Sequence, residues 1–352
     1  MTKAAELAKM GEVLTNSQIG GRRNIIINGS QIVSQRTTSS SSVSSTARHF
    51  VTDRFATNIN SLGTWTLSQD SNAPDGFSSS LKVDCTTADA SPSAGDFILI
   101  DHRIEAQDLQ QLKYGTSSAE TITLSFYVKS NKTGNATVSV LQPDNSFKQA
   151  SPSYTINSAN TWERKIITIA GDTSGVINND NDRGLEIQWW LNSGSTYTGG
   201  TNRTTYTTLS NDDRNASNLG IGGSTDDYFQ ITGVQLELGS QATPFEHRSF
   251  GEELALCQRY FQDPKLTSGN YLWLHAIATP GSTHWRRASY KLPTTMRADP
   301  AATLVGQTNG AFLSGSPTTE GTDHRHYIGF IGDVDANSSY AHINDLQLDA
   351  EL

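Results

Sequence analysis

Between Phe77 and Leu238 apolar and polar residues alternate in short runs. Leu81, Val83 and Cys85 alternate with polar neighbours, as do Ile122, Leu124, Phe126 and Val128, then Leu185, Ile187, Trp189 and Leu191. A period of two puts one side of a strand in a core and the other towards solvent or a second layer. Turn-forming clusters separate the runs at Asn131–Asn135, Pro143–Asn145 and Asn178–Asp182. Phe229 and Ile231 keep one phase and Val234, Leu236 and Leu238 the other, so a β-bulge is expected at Gly233. Many antiparallel strands with long loops and little helix predict a mainly β chain, a jelly-roll β-sandwich over residues 22–248.

Flanking segments read differently. Thr2 caps an expected short helix to about Leu14, with Leu7, Met10 and Leu14 on one stripe. A helix so short needs something to dock on. Asn24–Asn28 reads as a strand, and the Ser/Thr-rich stretch Thr37–Thr46 as a surface loop. Ser249 and Glu252 have the spacing of a capping box, opening a linker helix within residues 249–263 that places Phe250, Leu254, Cys257 and Phe261 on one stripe. That stripe is a candidate oligomer interface. After Pro264 strand patterns return, and residues 264–352 suffice for a smaller distal β-sandwich domain with a loop-rich stretch at Gly306–Gly321.

Composition narrows the function classes. Charged residues make up only 17% of the 352, with Ser, Thr, Asn and Gly filling the gap, which suits short strands joined by polar loops. The net charge is −9 with no Lys/Arg block, so nucleic acid is not an expected partner. No segment approaches the ~20 apolar residues of a membrane span, and no signal-peptide run opens the chain. Synthesis in the cytoplasm is expected. Cys85 and Cys257 are too far apart in sequence and context to suggest a disulfide scaffold or zinc site, and read as small buried apolar residues. Several Asn-x-Ser/Thr triplets, such as those at Asn131, Asn135 and Asn215, are expected by chance in this composition.

Five segments in order carry a resemblance: RRNIIING at Arg22–Gly29, VTDRF at Val51–Phe55, LSFYVKS at Leu124–Ser130, DDYFQITGVQLELGSQATPFEHRSF at Asp226–Phe250, and GEELALCQRYF at Gly251–Phe261. Together they resemble fibre and tail-fibre-like virion proteins of tailed phages with a jelly-roll, carbohydrate-binding-module-like domain. KLPTTMRADPAATL (Lys291–Leu304) resembles a strand pair of distal phage-fibre domains. The resemblance implies a non-enzymatic virion protein, a homo-oligomer and most simply a trimer. It implies attachment to other virion proteins through residues 1–21, and contact with a host surface glycan or outer-membrane receptor. Two other roles remain open: a capsid decoration or tail adaptor protein, and a carbohydrate-binding protein or polysaccharide-cleaving enzyme.

Signatures of catalysis are missing from the sequence: no phosphate-cradling Gly loop, GxSxG elbow or HExxH. No carboxylate pair is set apart as a glycosidase pair, and no cofactor is implied. Aromatic residues on polar strand phases are the better clue. Tyr127 and Trp190 each stand opposite the apolar set of their strand, where a ring can stack on a sugar or be covered by another layer or subunit. The distal segment concentrates Trp273, His275, Trp285, Arg286, Asp323 and Tyr327, a composition suited equally to a receptor-binding tip and to an intersubunit contact. Host recognition is expected there rather than in the jelly roll. His324 and His326 share one side of a strand, and in a trimer could converge on a metal. A single copy interrupted by Arg325 gives no ground to assign one. The Asp/Asn loops at Asn178–Asp182 and Asn211–Asp213 lack EF-hand spacing and read as turns.

Overall fold

The computed structural model describes residues 3, 23–44, 46–263, 291–303 and 346–352, together with the strands at 272–275, 284–290, 304, 307–308, 318–320, 327–334 and 340–343. The expected N-terminal helix and attachment segment, and Asp323, His324 and His326, lie outside the described residues. The chain divides into two compact units, with the boundary between Phe250 and Gly251 and with Leu352 grouped in the first.

Thirteen strands build the first unit: β1 (Ser39–Val43), β2 (Arg48–Phe50), β3 (Phe55–Asn60), β4 (Thr64–Asp70), β5 (Ser80–Thr87), β6 (Phe97–Glu105), β7 (Ile122–Ser130), β8 (Gly134–Gln142), β9 (Lys148–Ala150), β10 (Ser153–Ile156), β11 (Glu163–Ile169), β12 (Arg183–Ser193) and β13 (Tyr228–Leu238). They form two antiparallel sheets, one ordered β1-β4-β5-β13-β7-β11 and one ordered β10-β8-β12-β6-β3-β2 with β9 on β8. The inward phases meet in one core. Leu81, Val83, Ile122, Leu124, Phe126 and Val128 from the first sheet lie in a single cluster with Ile98, Ile100, Val138, Ile187, Trp189 and Leu191 from the second. This is a β-sandwich of the jelly-roll kind. Cys85 and Cys257 are buried thiols, as small apolar side chains are.

The bulge falls where the phase slip put it. Pairing of β13 with β7 shifts between Thr232 and Gln235, and Gly233 stands at φ +60°, the left-handed region that glycine enters without strain.

Two local expectations need correction. Asn24–Asn28 forms no ladder, although it runs beside β13. Ile25 N donates to Leu236 O at 2.9 Å, Asn24 Oδ1 accepts from Leu236 N at 3.1 Å, and Arg248 Nη1 donates to Ile26 O at 3.0 Å. Side chains replace the regular backbone exchange there. The Ser/Thr stretch contains edge strand β1, with Ser39 opposite Ser68 and Val43 opposite Trp65. An edge strand needs only backbone pairing on one side, and buried Val43 supplies its apolar anchor.

The turn from β10 to β11 crosses from one sheet to the other. Glu163 secures it, accepting from the backbone N of Asn157 at 2.9 Å and Ser158 at 2.7 Å and from Lys165 Nζ at 2.5 Å. Burial alone would raise its pKa, but Lys165 and these donors bring it from 4.5 to about 2. A depressed carboxyl stabilises the fold fully above 4.5, and its contribution fades as pH falls towards 2. Melting temperature followed from neutral to acid pH is expected to drop less steeply for Glu163→Gln than for the wild type. Parallel curves would show that this turn does not report on the fold.

In the second unit α1 (Phe250–Gln258) is followed by β14 (Phe261–Gln262), β15 (Leu272–His275), β16 (His284–Lys291), β17 (Ala301–Leu304), β18 (Gln307–Thr308), β19 (Thr318–Glu320), β20 (Tyr327–Val334), β21 (Tyr340–Ile343) and β22 (Leu346–Asp349). They form three antiparallel three-stranded sheets: β14-β22-β17, β15-β21-β18 and β16-β20-β19. β18 and β19 fall inside the stretch expected to be loop. From Gly251 onward helix α1 falls within the second unit, and Tyr260, just after it, is tied to both the helix end and Ala350. Tyr260 N bonds Cys257 O at 2.9 Å and Ala350 N bonds Tyr260 O at 2.7 Å.

Candidate functional site

The outer face of the β1-β4-β5-β13-β7-β11 sheet carries an open cluster of rings. Strand β7 alternates strictly: Ile122, Leu124, Phe126 and Val128 fill the core, so Tyr127 must point the other way. Its cross-strand neighbours are Thr232 on β13 and Arg164 on β11. The connection from β4 to β5 lays Phe77 beside it, with ring centroids 5.4 Å apart. Phe245 meets Phe77 edge-on at 5.0 Å, and His247 lies 5.3 Å from Phe77 and 4.9 Å from Phe245. Phe77, Tyr127 and Phe245 are half-buried and His247 is exposed.

A polar clamp holds this arrangement. Asn72 Oδ1 accepts from Trp162 Nε1 at 3.0 Å and Lys129 Nζ at 3.1 Å, while Asn72 O accepts from Ser80 Oγ at 2.7 Å. The loop carrying Phe77 is therefore tied to β5, to β7 and to Trp162, the residue before β11. Arg164 Nη2 reaches Thr243 O at 2.5 Å and fixes the segment that carries Phe245 and His247. Rigid half-open rings with amide, hydroxyl and cationic groups in the clamp beside them are suited to an amphipathic ligand with C–H faces and hydroxyl edges.

Gly233 makes room for the rings. A Cβ there would stand 2.7 Å from Phe77 Cζ and 2.9 Å from Tyr127 Cδ2. Gly233→Val is expected to cost about 1–3 kcal/mol, because a branched residue is strained at this φ. It should also displace the rings. Denaturant unfolding and the near-ultraviolet circular dichroism of the aromatic side chains read the two effects. A variant with wild-type stability and spectrum would refute the close packing.

Trp190 is not part of this platform. It lies on β12, on the outer face of the opposite sheet, and is 1% exposed. Phe97 and Tyr197 pack on it at 5.9 and 5.1 Å, and the Arg214 guanidinium lies 4.9 Å from its ring centre. The segment 194–227 covers that face, with Ser139 Oγ donating to Arg214 O at 2.7 Å and Arg214 Nη2 to Gln188 Oε1 at 2.9 Å. A covered ring offers no stacking surface, so of the two roles open to Trp190 the structure shows the covering layer.

Beside Trp190 runs a buried ion network. Asp101 is fully buried, and Arg103 Nε lies 2.9 Å from Asp101 Oδ2 and 3.2 Å from Glu186 Oε2. Arg48 Nη2 stands 3.0 Å from Asp101 Oδ2, and Arg183 Nη1 2.7 Å from Glu186 Oε2. Burial, reinforced by Glu186, holds the Asp101 carboxyl above its ordinary range. Burial pushes Glu186 up too, but Arg103, Gln188 and Arg183 more than offset it and bring it down. Two carboxyls shifted in opposite directions can form an acid–base pair, but these are sealed from any substrate.

In the second unit Trp273 and His275 lie on β15, opposite His342 and Tyr340. Trp285 and Arg286 lie on β16 opposite Asp333 and Gly332, and Tyr327 opens β20 opposite Lys291. The candidate receptor residues are thus split between two sheets. Of the expected interface stripe, Phe250 is 57% exposed and Leu254 half-buried, whereas Cys257 and Phe261 are buried within their own chain. Helix α1 stops at Gln258, so Phe261 lies on β14, off the helical stripe. Asp213 spends its oxygens on Thr201 N at 2.6 Å and Arg203 Nε at 2.8 Å, which ties it to a distant part of the covering segment. Among the described residues no helix is long and apolar enough to cross a membrane.

No family model and no curated protein matches the chain. Solved structures with some likeness include a tailspike protein 4 enzymatically active domain of bacteriophage CBA120, at 14% identity and a TM-score of 0.31 over 61% of this chain and 21% of that one. A family 4 carbohydrate-binding module is 16% identical with a TM-score of 0.31, covering 60% of this chain and 98% of its own. A family 61 module in complex with β-1,4-galactotriose is 8% identical with a TM-score of 0.31, covering 62% and 100%. The chain spans about a fifth of the tailspike chain's length. Scores this low say nothing about function, and the jelly-roll assignment rests on the two sheets themselves.

Proposed function

We propose that this chain is a non-enzymatic, virion-borne attachment protein that holds a surface glycan against the open rings of its jelly-roll unit. The observation that carries this reading is the half-open cluster of Phe77, Tyr127, Phe245 and His247, clamped by Asn72 on the outer sheet face. Ring faces match sugar C–H faces, and the polar rim matches hydroxyls. A binding rather than catalytic role is favoured because the conspicuous carboxyl pair, Asp101 and Glu186, is closed to substrate and bridged by Arg103. Placement in a phage particle and oligomerisation as a trimer follow the resemblance of the five sequence segments. Exposed Phe250 and half-buried Leu254 are the residues of the helical stripe that could face another copy. Repetition of weak glycan sites on one rigid appendage would multiply their hold on a cell surface.

The test is binding of the full chain to an array of bacterial surface glycans, with its mass measured in solution. An oligomer that recognises a subset of glycans is expected. An oligomer that binds none, and adheres to no cells carrying them, would leave only a structural role.

A further inference from the structure

Phe245 to Arg248 alternate ring and charge: Phe245 and His247 carry rings, Glu246 and Arg248 carry charges. In an extended chain residues two apart share a side, and the contacts follow that rule. Phe245 and His247 lie 4.9 Å apart, and both reach Phe77. Glu246 Oε2 stands 3.6 Å from Arg248 Nη2, with both side chains mostly buried. One short segment therefore has a ring side, which belongs to the platform, and a charged side.

The charged side grips a strap, residues 23–29. Glu246 accepts from Arg23 N at 3.2 Å and Asn24 N at 2.8 Å, and Arg248 donates to Ile26 O at 3.0 Å and to Asn24 O. The strap lies where the sheet needs it. β13 pairs with β5 only over Tyr228–Ile231. Past the bulge its main-chain groups need other partners, and the strap supplies them. Val234 N donates to Gly29 O at 2.9 Å, Asn24 Nδ2 to Val234 O at 3.1 Å, and Ile25 N to Leu236 O at 2.9 Å. Gly29 permits this approach, since a Cβ there would collide with Val234 O.

The start of the segment is fixed separately. Thr243 N and Oγ1 donate to Glu237 at 2.8 and 2.7 Å, and Glu246 N donates to Gln235 Oε1 at 2.8 Å. The segment is thus anchored on β13 at one end and latched to the strap by Glu246 and Arg248. Held at one end only, it would sample positions away from Phe77. A site formed for part of the time binds in proportion to that fraction.

We infer that Glu246 and Arg248 are positioning residues of the glycan platform, latching the segment that bears Phe245 and His247 to the strap of residues 23–29, so that rings and strap order each other. This rests on the glycan-binding reading above and adds the residues that hold the site in shape. The experiment compares the full chain with Glu246→Ala, Arg248→Ala and Glu246→Gln. Nuclear Overhauser contacts between the Phe245 and Phe77 ring protons, assigned with Phe245→Leu in phenylalanine-labelled protein, report the platform without any ligand. Both alanine variants should lose these contacts. They should bind the best array glycan about tenfold more weakly, as when the formed platform falls to about a tenth of the population. Glu246→Gln keeps an oxygen to accept from Asn24 N, so it should retain the contacts and most of the affinity. Coupling is reciprocal, so the bound glycan should slow hydrogen exchange at the Asn24 and Ile25 amides of the wild type. A merely structural latch would not show that protection. If Arg248→Ala fails to fold, Glu246→Ala, which leaves Arg248 bonded to Ile26 O, decides. Intact Phe245–Phe77 contacts in the alanine variants, or strap exchange indifferent to bound glycan, would overturn the latch. A wild type that binds no glycan would remove the underlying reading, and the ring contacts alone would then decide the latch.

Discussion

Arg103→Ala is expected to cost the first unit about 3–5 kcal/mol, because removing one partner of a buried charge cluster leaves its carboxylates uncompensated. Arg103 lies between Asp101 and Glu186, at 2.9 and 3.2 Å, and both acids are nearly or fully buried. Arg48 and Arg183 remain, at 3.0 and 2.7 Å from one acid each, which places the loss towards the lower end of that range. Asn58 Nδ2 and Gln188 Nε2 donate to the same acids at 2.8 and 2.6 Å and keep part of their hydrogen bonding when Arg103 is removed. Guanidinium unfolding of the full chain measures the effect in its first-unit transition. A change below about 1 kcal/mol, the size of a surface pair, would mean that water reaches the network. The network lies on the sheet opposite the rings, so glycan binding by the folded variant should be unchanged.

Tyr127→Ala and Phe77→Ala should each weaken glycan binding by about thirtyfold or more, since a buried aromatic anchor at a binding site is worth roughly 2 kcal/mol. The rings touch each other at 5.4 Å, so the double variant should lose less than the sum of the two single losses. Trp162→Ala should have a smaller effect, because its indole N–H is spent on Asn72. Titration with the best array glycan decides this. Wild-type affinity in both single variants would remove the platform from the site.

The sandwich was legible because its strands alternate cleanly. Ile122, Leu124, Phe126 and Val128 all point into the core, and the slip at Gly233 gave away the bulge. Edge strand β1 was not legible, because a strand paired on one side and solvated on the other can be built almost wholly from serine. Tyr127 was found from its phase alone. Its partners were not: Phe77, Trp162, Phe245 and His247 come from loops and turns whose approach depends on Asn72 and Arg164, which no periodicity encodes. Trp190 shows the limit of the same rule. Phase says which way a side chain points, but not whether a distant segment, here 194–227, folds over it. The helix stripe failed at Phe261 for a related reason, since α1 ends three residues earlier and the chain continues as a strand.

The most direct test of glycan attachment through the jelly-roll unit is a structure of the full chain with its best array glycan bound. A sugar ring stacked on Tyr127 and Phe77 is the expected result. Density for the sugar on the second unit, at the strands bearing Trp273 and Trp285, or beneath segment 194–227 at Trp190, would contradict it.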